Sequence, residues 1–591
     1  MAELDRKDVP VQDTWDLSDL FPNDEAWEES GDKIAGLARA FSAKYEGKLR
    51  RSDSIPLILQ AVSDADDIYA LASPYATYAH LDYAADHTDA QKAVRAKKMS
   101  SLLSEFTSEL SFFQSELSEL DDEVLAEAAK SEEFGAFLEE IIRDKKHRLH
   151  PETERVLAAL SGSVMDLPEE SYSAAKLADM DFGSFNVNGK EFPLSFSLFE
   201  EKYQYEPDYD IRHQAFQAFS DVLGKYRHTI ATAYNAQVQK EVMLARLRGF
   251  DSVTDYLLAE HNVSSDLYNR QLDLISEKLS APMRRYAKKI QEKYGLAEMT
   301  WADLKLAPIP EGYPAVSRAQ ARDMIMSAVS AVGKPYQDII DIAFRDRWID
   351  FAENKGKATG AFCAQPYGHH PYILVNWQNN IADVYTLAHE LGHATQSILS
   401  QEKNRALVMT PSTYFIEAPS TIHELFLTQY LMSDPEYKQI SAALMAANTY
   451  YHNFVTHLLE GVYQREVYSA AEGGKNLVAD DFDEIKARVL SDFWGEDVRL
   501  NPGAERTWMR QPHYYMGLYP YTYSAGLTVA TAVSMRIAQG EKEAVSDWLK
   551  TLAAGGTLDP IKLAALAGVD ITTDEPLLSA IEYVDSLIEQ I

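Results

Sequence analysis

The 591-residue chain holds one cysteine, Cys363, so no internal disulfide can form. A disulfide-stapled secreted fold is thereby excluded, and a cytoplasmic location is the expectation. Positive charge is scarce as well: 56 Lys and Arg stand against 91 Asp and Glu, a formal charge of -35 at pH 7. Such a chain repels phosphate backbones and anionic bilayers, which argues against nucleic acid and membrane surfaces as partners. No apolar run is long enough to cross a bilayer, and the acidic N-terminal stretch lacks the hydrophobic segment of a secretory signal. Glycine-rich phosphate loops and a Gly-x-Ser-x-Gly elbow are missing, so neither ATP dependence nor serine chemistry is expected. Repeats at a fixed period and low-complexity tracts are missing too, which removes solenoids. What is present is ordinary globular material, 46% hydrophobic and 25% charged, long enough for two or more packed lobes.

Helical spacing dominates from about residue 24 to 180, as in Leu102, Leu103, Phe106, Leu110, Phe113 and Leu117. Residues 182–192 interrupt it, with Asn188-Gly189 between short apolar runs, the strongest local signal for a hairpin turn. Helical patterning resumes over about 209–294 and is broken by three prolines and a glycine in 306–314, which predicts a loop. Residues 360–363 and 371–377 carry β-branched and aromatic residues between breakers and read as two short strands. From Ile381 onward the pattern is helical again. The expected class is mainly α with a small sheet.

Residues 389–393 are His-Glu-Leu-Gly-His, a pattern that composition alone predicts about 0.03 times in such a chain. On a helix, His389 and His393 project from one face and can share a metal ion, with Glu390 beside it. Val384, Leu387, Ala388, Leu391 and Ile398 form an apolar stripe that independently predicts the helix, and Asp383 suits its N-terminal turn. A catalytic zinc needs a third protein ligand. The long metzincin pattern fails, because Gln396 and Leu399 stand where glycine and histidine are required. A glutamate from a following helix is the remaining common solution, and spacing leaves Glu417, His423 and Glu424 open. Glu417 and Glu424 share a face if one helix contains both, so that one can ligate while the other supports a histidine from behind.

Residues 510–526 concentrate His513 and five tyrosines, among them Tyr519, Tyr521 and Tyr523. A phenol protonated at neutral pH, like an imidazole, is a suitable donor to an oxyanion. His369-His370 reads as a loop pair between the strands, and Cys363 as a small strand residue with no activating motif around it.

These segments together resemble the M3 family of zinc peptidases, in its oligoendopeptidase F type. The resemblance rests on Thr386–Thr395 around the histidines, on 360–363 with 371–378 ahead of them, on Phe415–Thr421, and on 510–515 with 519–526. Residues 9–21 and 147–154 also fit, so the likeness spans nearly the whole chain, although His369-His370 stand where small polar residues are expected. It implies a zincin-type fold, a helical ellipsoid with a deep substrate channel and a small β-sheet beside the active-site helix. It assigns the third zinc ligand to Glu417 and leaves Glu424 behind His389.

The expectation is therefore a zinc endopeptidase acting on short unstructured oligopeptides, with one Zn²⁺ per chain on His389, His393 and Glu417. Glu390 is the expected general base, and His513, Tyr519 and Tyr521, with Tyr523, the expected oxyanion donors or substrate contacts. Gly360, Ala361 and Phe362 are the expected edge strand for the substrate backbone. Residues 1–200 are expected to form an N-terminal helical wall of the channel and 201–591 the catalytic region. A zinc carboxypeptidase is the near alternative, with Arg510 as the only obvious grip for a terminal carboxylate. A peptide-binding protein with a vestigial site is the other, against which Glu390 argues, since binding needs no general base.

Overall fold

Asn23, Ser54 and Asp89 each accept a backbone N–H and open the first long helices: α1 (Asp24–Tyr45), α2 (Ile55–Ala85) and α3 (Ala90–Ser118). The computed structural model describes residues 4–50, 52–160, 164–309 and 312–591. Phe106, Leu110, Phe113 and Leu117 are buried along α3 as their spacing predicts, and meet Ile34, Phe41, Ile58 and Val62 in a separate N-terminal core that ends near Ile141. The main core starts at Tyr172 and continues to the C-terminus. Val408 also joins the N-terminal core, Trp15, Leu20 and Leu81 pack with Tyr372 and Leu374 in a third cluster, and residues 172–200 pack with the main core.

The predicted hairpin is β1 (Ser184–Val187) with β2 (Lys190–Pro193), paired antiparallel. Asn188 and Gly189 both take positive φ, 53° and 81°, as a two-residue primed turn demands. The helical stretch beyond it contains α4 (Tyr209–Leu247) and α5 (Ser265–Tyr294). Of the proline-rich loop at 306–314, Pro310 and Glu311 lie outside the described residues.

A three-stranded sheet follows, of β3 (Ile349–Asp350), β4 (Phe362–Ala364) and β5 (Tyr372–Leu374) in the order β3-β5-β4. The strand at 349–350 was not expected; two residues carry too little alternation to register as a pattern. Asp350, fully buried in β3, accepts from Arg6 and sits 2.7 Å from Lys357 Nζ, which ties the N-terminal segment to this sheet.

The helices around the site are α6 (Ile381–Gln401), α7 (Ala418–Leu431), α8 (His457–Glu472), α9 (Ala479–Trp494) and α10 (Tyr521–Ala538). Asn380 and Asp383 form a reciprocal cap at the start of α6, so the acid at 383 plays the N-terminal role its position suggested. A π-helical segment, Met445–Thr456, leads into α8. The start of α7 is pressed between α6 and α10 at two glycines. A Cβ on Gly392 would lie 2.1 Å from the Pro419 carbonyl oxygen, and one on Gly526 would lie 2.9 Å from the Glu417 Cβ.

Substituting alanine for a mid-helix glycine ordinarily stabilises by about 1 kcal/mol. Gly392→Ala is expected to do the opposite, because the new methyl meets rigid backbone rather than a yielding side chain. A destabilisation of roughly 1–3 kcal/mol should appear in denaturant unfolding. A variant as stable as the parent would show that α7 can slide.

Candidate active site

Val384, Leu387, Ala388 and Leu391 are buried along α6, which leaves His389 and His393 on the flank facing a cavity of about 1030 Å³. The Glu417 Oε2 lies 3.3 Å from His389 Nε2 and 3.4 Å from His393 Nε2. Glu417 immediately precedes α7, and Ser420 Oγ donates to its Oε2 at 3.0 Å. Glu424, two turns further on, takes the other edge of the same imidazole: its Oε1 is 2.7 Å from His389 Nδ1. The second Glu424 oxygen accepts from the Thr449 hydroxyl. His389 is therefore held as a proton donor at Nδ1, with Nε2 turned toward His393 and Glu417.

His423, the third group that spacing left open, is turned away. Its Nε2 is 2.6 Å from the Tyr336 hydroxyl, which also meets Thr395, and burial pushes its pKa down to about 3. Burial would raise Glu417, but the neighbouring His393 and His389 hold it well below the usual carboxylate range. Burial would likewise lower His389, but the hydrogen bonds it donates to Glu417 and Glu424 hold it well above. Two imidazole nitrogens and one carboxylate oxygen within 4.8 Å of one another, with the back of one ring fixed by a carboxylate, suit a tetrahedral metal such as zinc with one open position.

Glu390 lines the same cavity and is only 6% exposed. Burial raises its pKa above the usual carboxylate range, with the two histidines pulling the other way. Ala361, Phe362, Cys363 and Gln365 line the cavity beside it. β4 begins at Phe362 and is one of the two edge strands of its sheet. Gly360 is not part of that lining; its carbonyl accepts from Asn376. Cys363 is half-buried in β4, and desolvation keeps its thiol well above its usual range. His370 stacks on Trp348 at 4.8 Å and reaches Asp19, consistent with a loop position.

The C-terminal aromatics separate into two sets. Tyr519 and Tyr523 line the cavity of the His389, His393 and Glu417 cluster with their rings edge-on at 5.4 Å, and burial keeps both phenols protonated. Tyr521 does not reach the cavity, contrary to expectation. It is fully buried on the other side of α10, its hydroxyl 3.0 Å from His261 Nδ1. Tyr519 and Tyr523 are four residues apart and share a helical face, whereas Tyr521 points roughly opposite. His513 also departs from its expected place. It lines an adjoining cavity of about 450 Å³, with its ring 5.4 Å from Tyr519 and 5.8 Å from Tyr523. Burial lowers its pKa to about 4, leaving a neutral imidazole.

In that second cavity His457 Nδ1 is 2.6 Å from Glu460, and its Nε2 is 3.0 Å from His452 Nε2. His457, Glu460 and His513 converge closely enough to hold a cation, but Lys305 and Lys486 in the same lining oppose one. The two cavities share Tyr205, Leu304, Lys305, His452 and Tyr523. Among the described residues of 1–200, Lys176, Phe199 and Glu200 alone appear in either lining, all in the smaller cavity. Gly392, Gly526, Thr449 and Tyr336 are the supporting residues that motif reading missed; the glycine within His-Glu-Leu-Gly-His was the one visible signal.

The family model for peptidase family M3 matches residues 331–583, and the oligopeptidase F model matches residues 116–182. The chain is 26% identical to oligopeptidase PepF of Bacillus subtilis, over 99% of this chain and 88% of that protein. It is also 26% identical to the group B oligopeptidase PepB of Streptococcus agalactiae, over 99% and 97%. In fold it is similar to a candidate peptidase of Chlamydophila abortus, with a TM-score of 0.87 at 23% identity over 99% of both chains. Oligoendopeptidase-F of Enterococcus faecium superposes with a TM-score of 0.73 at 20% identity, over 96% and 98%. The two family models together match more than half of the residues and the relatives align from end to end: the chain belongs to peptidase family M3, oligoendopeptidase F type, and is a metalloendopeptidase.

Proposed function

We propose that the protein is a zinc-dependent oligoendopeptidase that cuts internal bonds of short, unstructured peptides. The observation that carries this reading is the presence of Glu390, buried and raised in proton affinity, in the same cavity as the His389, His393 and Glu417 donor atoms. His389, His393 and Glu417 would hold a zinc ion, which would supply Lewis acidity for the scissile carbonyl and lower the pKa of water. Glu390 accepts the proton from the attacking water and delivers it to the leaving amine. Tyr519 and Tyr523, in the lining of the same cavity, donate to the carbonyl oxygen as it gains charge. His513, in van der Waals range of those rings, orients them from behind. The free edge of β4 offers backbone groups to an extended substrate, a mode that reads main chain more than side chain. A cavity walled by helices admits a flexible chain and excludes a folded one.

Of the alternatives, the carboxypeptidase loses its expected grip, because Arg510 is spent on Glu200 at 2.8 Å. A chain with one half-buried cysteine requires no oxidising compartment, which fits the cytoplasmic location we propose.

The central test is Glu390→Gln, which fills the same space but cannot take a proton. Hydrolysis of a quenched fluorescent peptide should fall by roughly 10²–10⁴-fold or more with bound zinc unchanged. Near-normal turnover in a zinc-loaded variant would remove Glu390 from the reaction.

Elemental analysis should find one zinc per chain, lost on treatment with a chelator. Glu417→Ala should abolish stoichiometric binding, whereas Glu424→Ala should weaken it about 10–100-fold, the usual effect of losing a residue that supports a ligating histidine. The reverse ranking would exchange their roles.

Phenylalanine substitutions should sort the tyrosines. Tyr519→Phe or Tyr523→Phe is expected to lower kcat about 10²–10³-fold for whichever hydroxyl meets the oxyanion. Tyr521→Phe should leave kcat unchanged and cost about 1 kcal/mol of stability from its lost bond to His261. Normal kcat in both cavity variants would assign oxyanion stabilisation elsewhere.

A further inference from the structure

The smaller cavity carries an excess of positive charge inside a protein whose overall charge is -35. Five cationic side chains line it. Arg212 is bonded to Asp303, Arg510 to Glu200, and Lys176 Nζ to the Arg510 carbonyl at 2.9 Å. Lys305 and Lys486 remain. Among the described residues neither ammonium has a carboxylate within 4 Å; Lys305 lies over the Tyr451 ring at 4.5 Å and Lys486 over the Tyr463 ring at 5.3 Å. Lys486 is only 4% exposed. The one carboxylate in the lining outside an Arg pair, Glu460, is turned to His457 Nδ1. Among the described residues His513 Nδ1, in the same lining, has no hydrogen-bond partner.

Burying an ammonium group without a counter-charge is costly, and a protein retains such a pair where something else provides the charge. We infer that Lys305 and Lys486 form a carboxylate-binding subsite of the peptide channel. This inference rests on the oligopeptidase reading and names a feature of its substrates: a carboxylate, from the peptide's C-terminus or from an Asp or Glu side chain. Burial lowers both lysines to about 8, so they stay charged at neutral pH. Lys305, His452 and Tyr523 line both cavities, which gives the substrate chain a continuous path. Lys486 lines the smaller one alone. A carboxylate held there stands beyond the Tyr523–His452 layer from Glu390, which suits cleavage inside a chain rather than at its last bond.

The test compares peptides of one sequence that differ only in charge: free acid against C-terminal amide, and Glu against Gln at a single position. For the unmodified enzyme, removing the recognised carboxylate should raise KM at least about tenfold. Loss on amidation identifies the terminus as the source, and loss on the Gln exchange identifies the side chain. Lys486→Met and Lys305→Met should each shrink the ratio, while Lys486→Arg should retain most of it. Equal KM values for all peptides in the unmodified enzyme overturn the subsite and leave the peptidase reading intact, and no variant is needed to see it. A full preference persisting in a folded Lys486→Met, Lys305→Met double variant also overturns it. Failure to hydrolyse any of the peptides defeats the peptidase reading itself.

Discussion

The backbone contact between α7 and its two neighbours is the constraint on which the site depends. At Gly392 and Gly526 the helices α6 and α10 approach the 417–420 turn closely enough that a Cβ at either position would collide with backbone or with Glu417. Interiors are packed to crystal density, so a turn gripped on both sides has little freedom to shift. That grip sets Glu417 against His389 and His393 and, two turns on, brings Glu424 to the far edge of His389. The start of one helix thereby carries both a candidate ligand and the acid behind His389, and a small movement of α7 would disturb both together.

Charge is distributed in opposite senses on the two sides of the aromatic layer. The metal-facing cavity gathers Glu390, Glu417 and Glu424 around two histidines, an arrangement that a divalent cation balances. The adjoining cavity gathers lysines and neutral histidines, with His452, His457 and His513 all depressed chiefly by burial. Tyr523 stands between them, stacked on His457 at 4.1 Å and edge-on to Tyr519 at 5.4 Å. A substrate carboxylate meets a complementary field at the lysine end of this path, whereas the acidic exterior offers an anionic peptide no long-range attraction.

The tyrosine cluster shows how far a linear motif carries. Five tyrosines near a histidine mark a region of unusual composition, and the region does border the site. Choosing among them needs the helical phase, and Pro520 ahead of α10 obscures where that phase begins. The backbone at Pro520 is already helical, with φ -55° and ψ -34°, so Tyr519 and Tyr523 lie one turn apart on the cavity side. Tyr521 falls on the opposite side, where His261, distant in sequence, takes its hydroxyl.

What the sequence determined by itself is local. The apolar stripe of α6, the four-residue spacing of His389 and His393, the Asn188-Gly189 turn and the helical class all follow from periods and backbone preferences within one element. Tertiary structure decided which acid completes the donor set, since Glu417 reaches it only because two glycines let α7 come close, while Tyr336 draws His423 away. It also decided that Lys305 and Lys486 share one cavity across 181 positions of chain, and that residues 172–200 pack with the main core. Such contacts join elements whose separation in sequence carries no periodic signal. Only the mutual packing of side chains, summed over the whole interior, selects them.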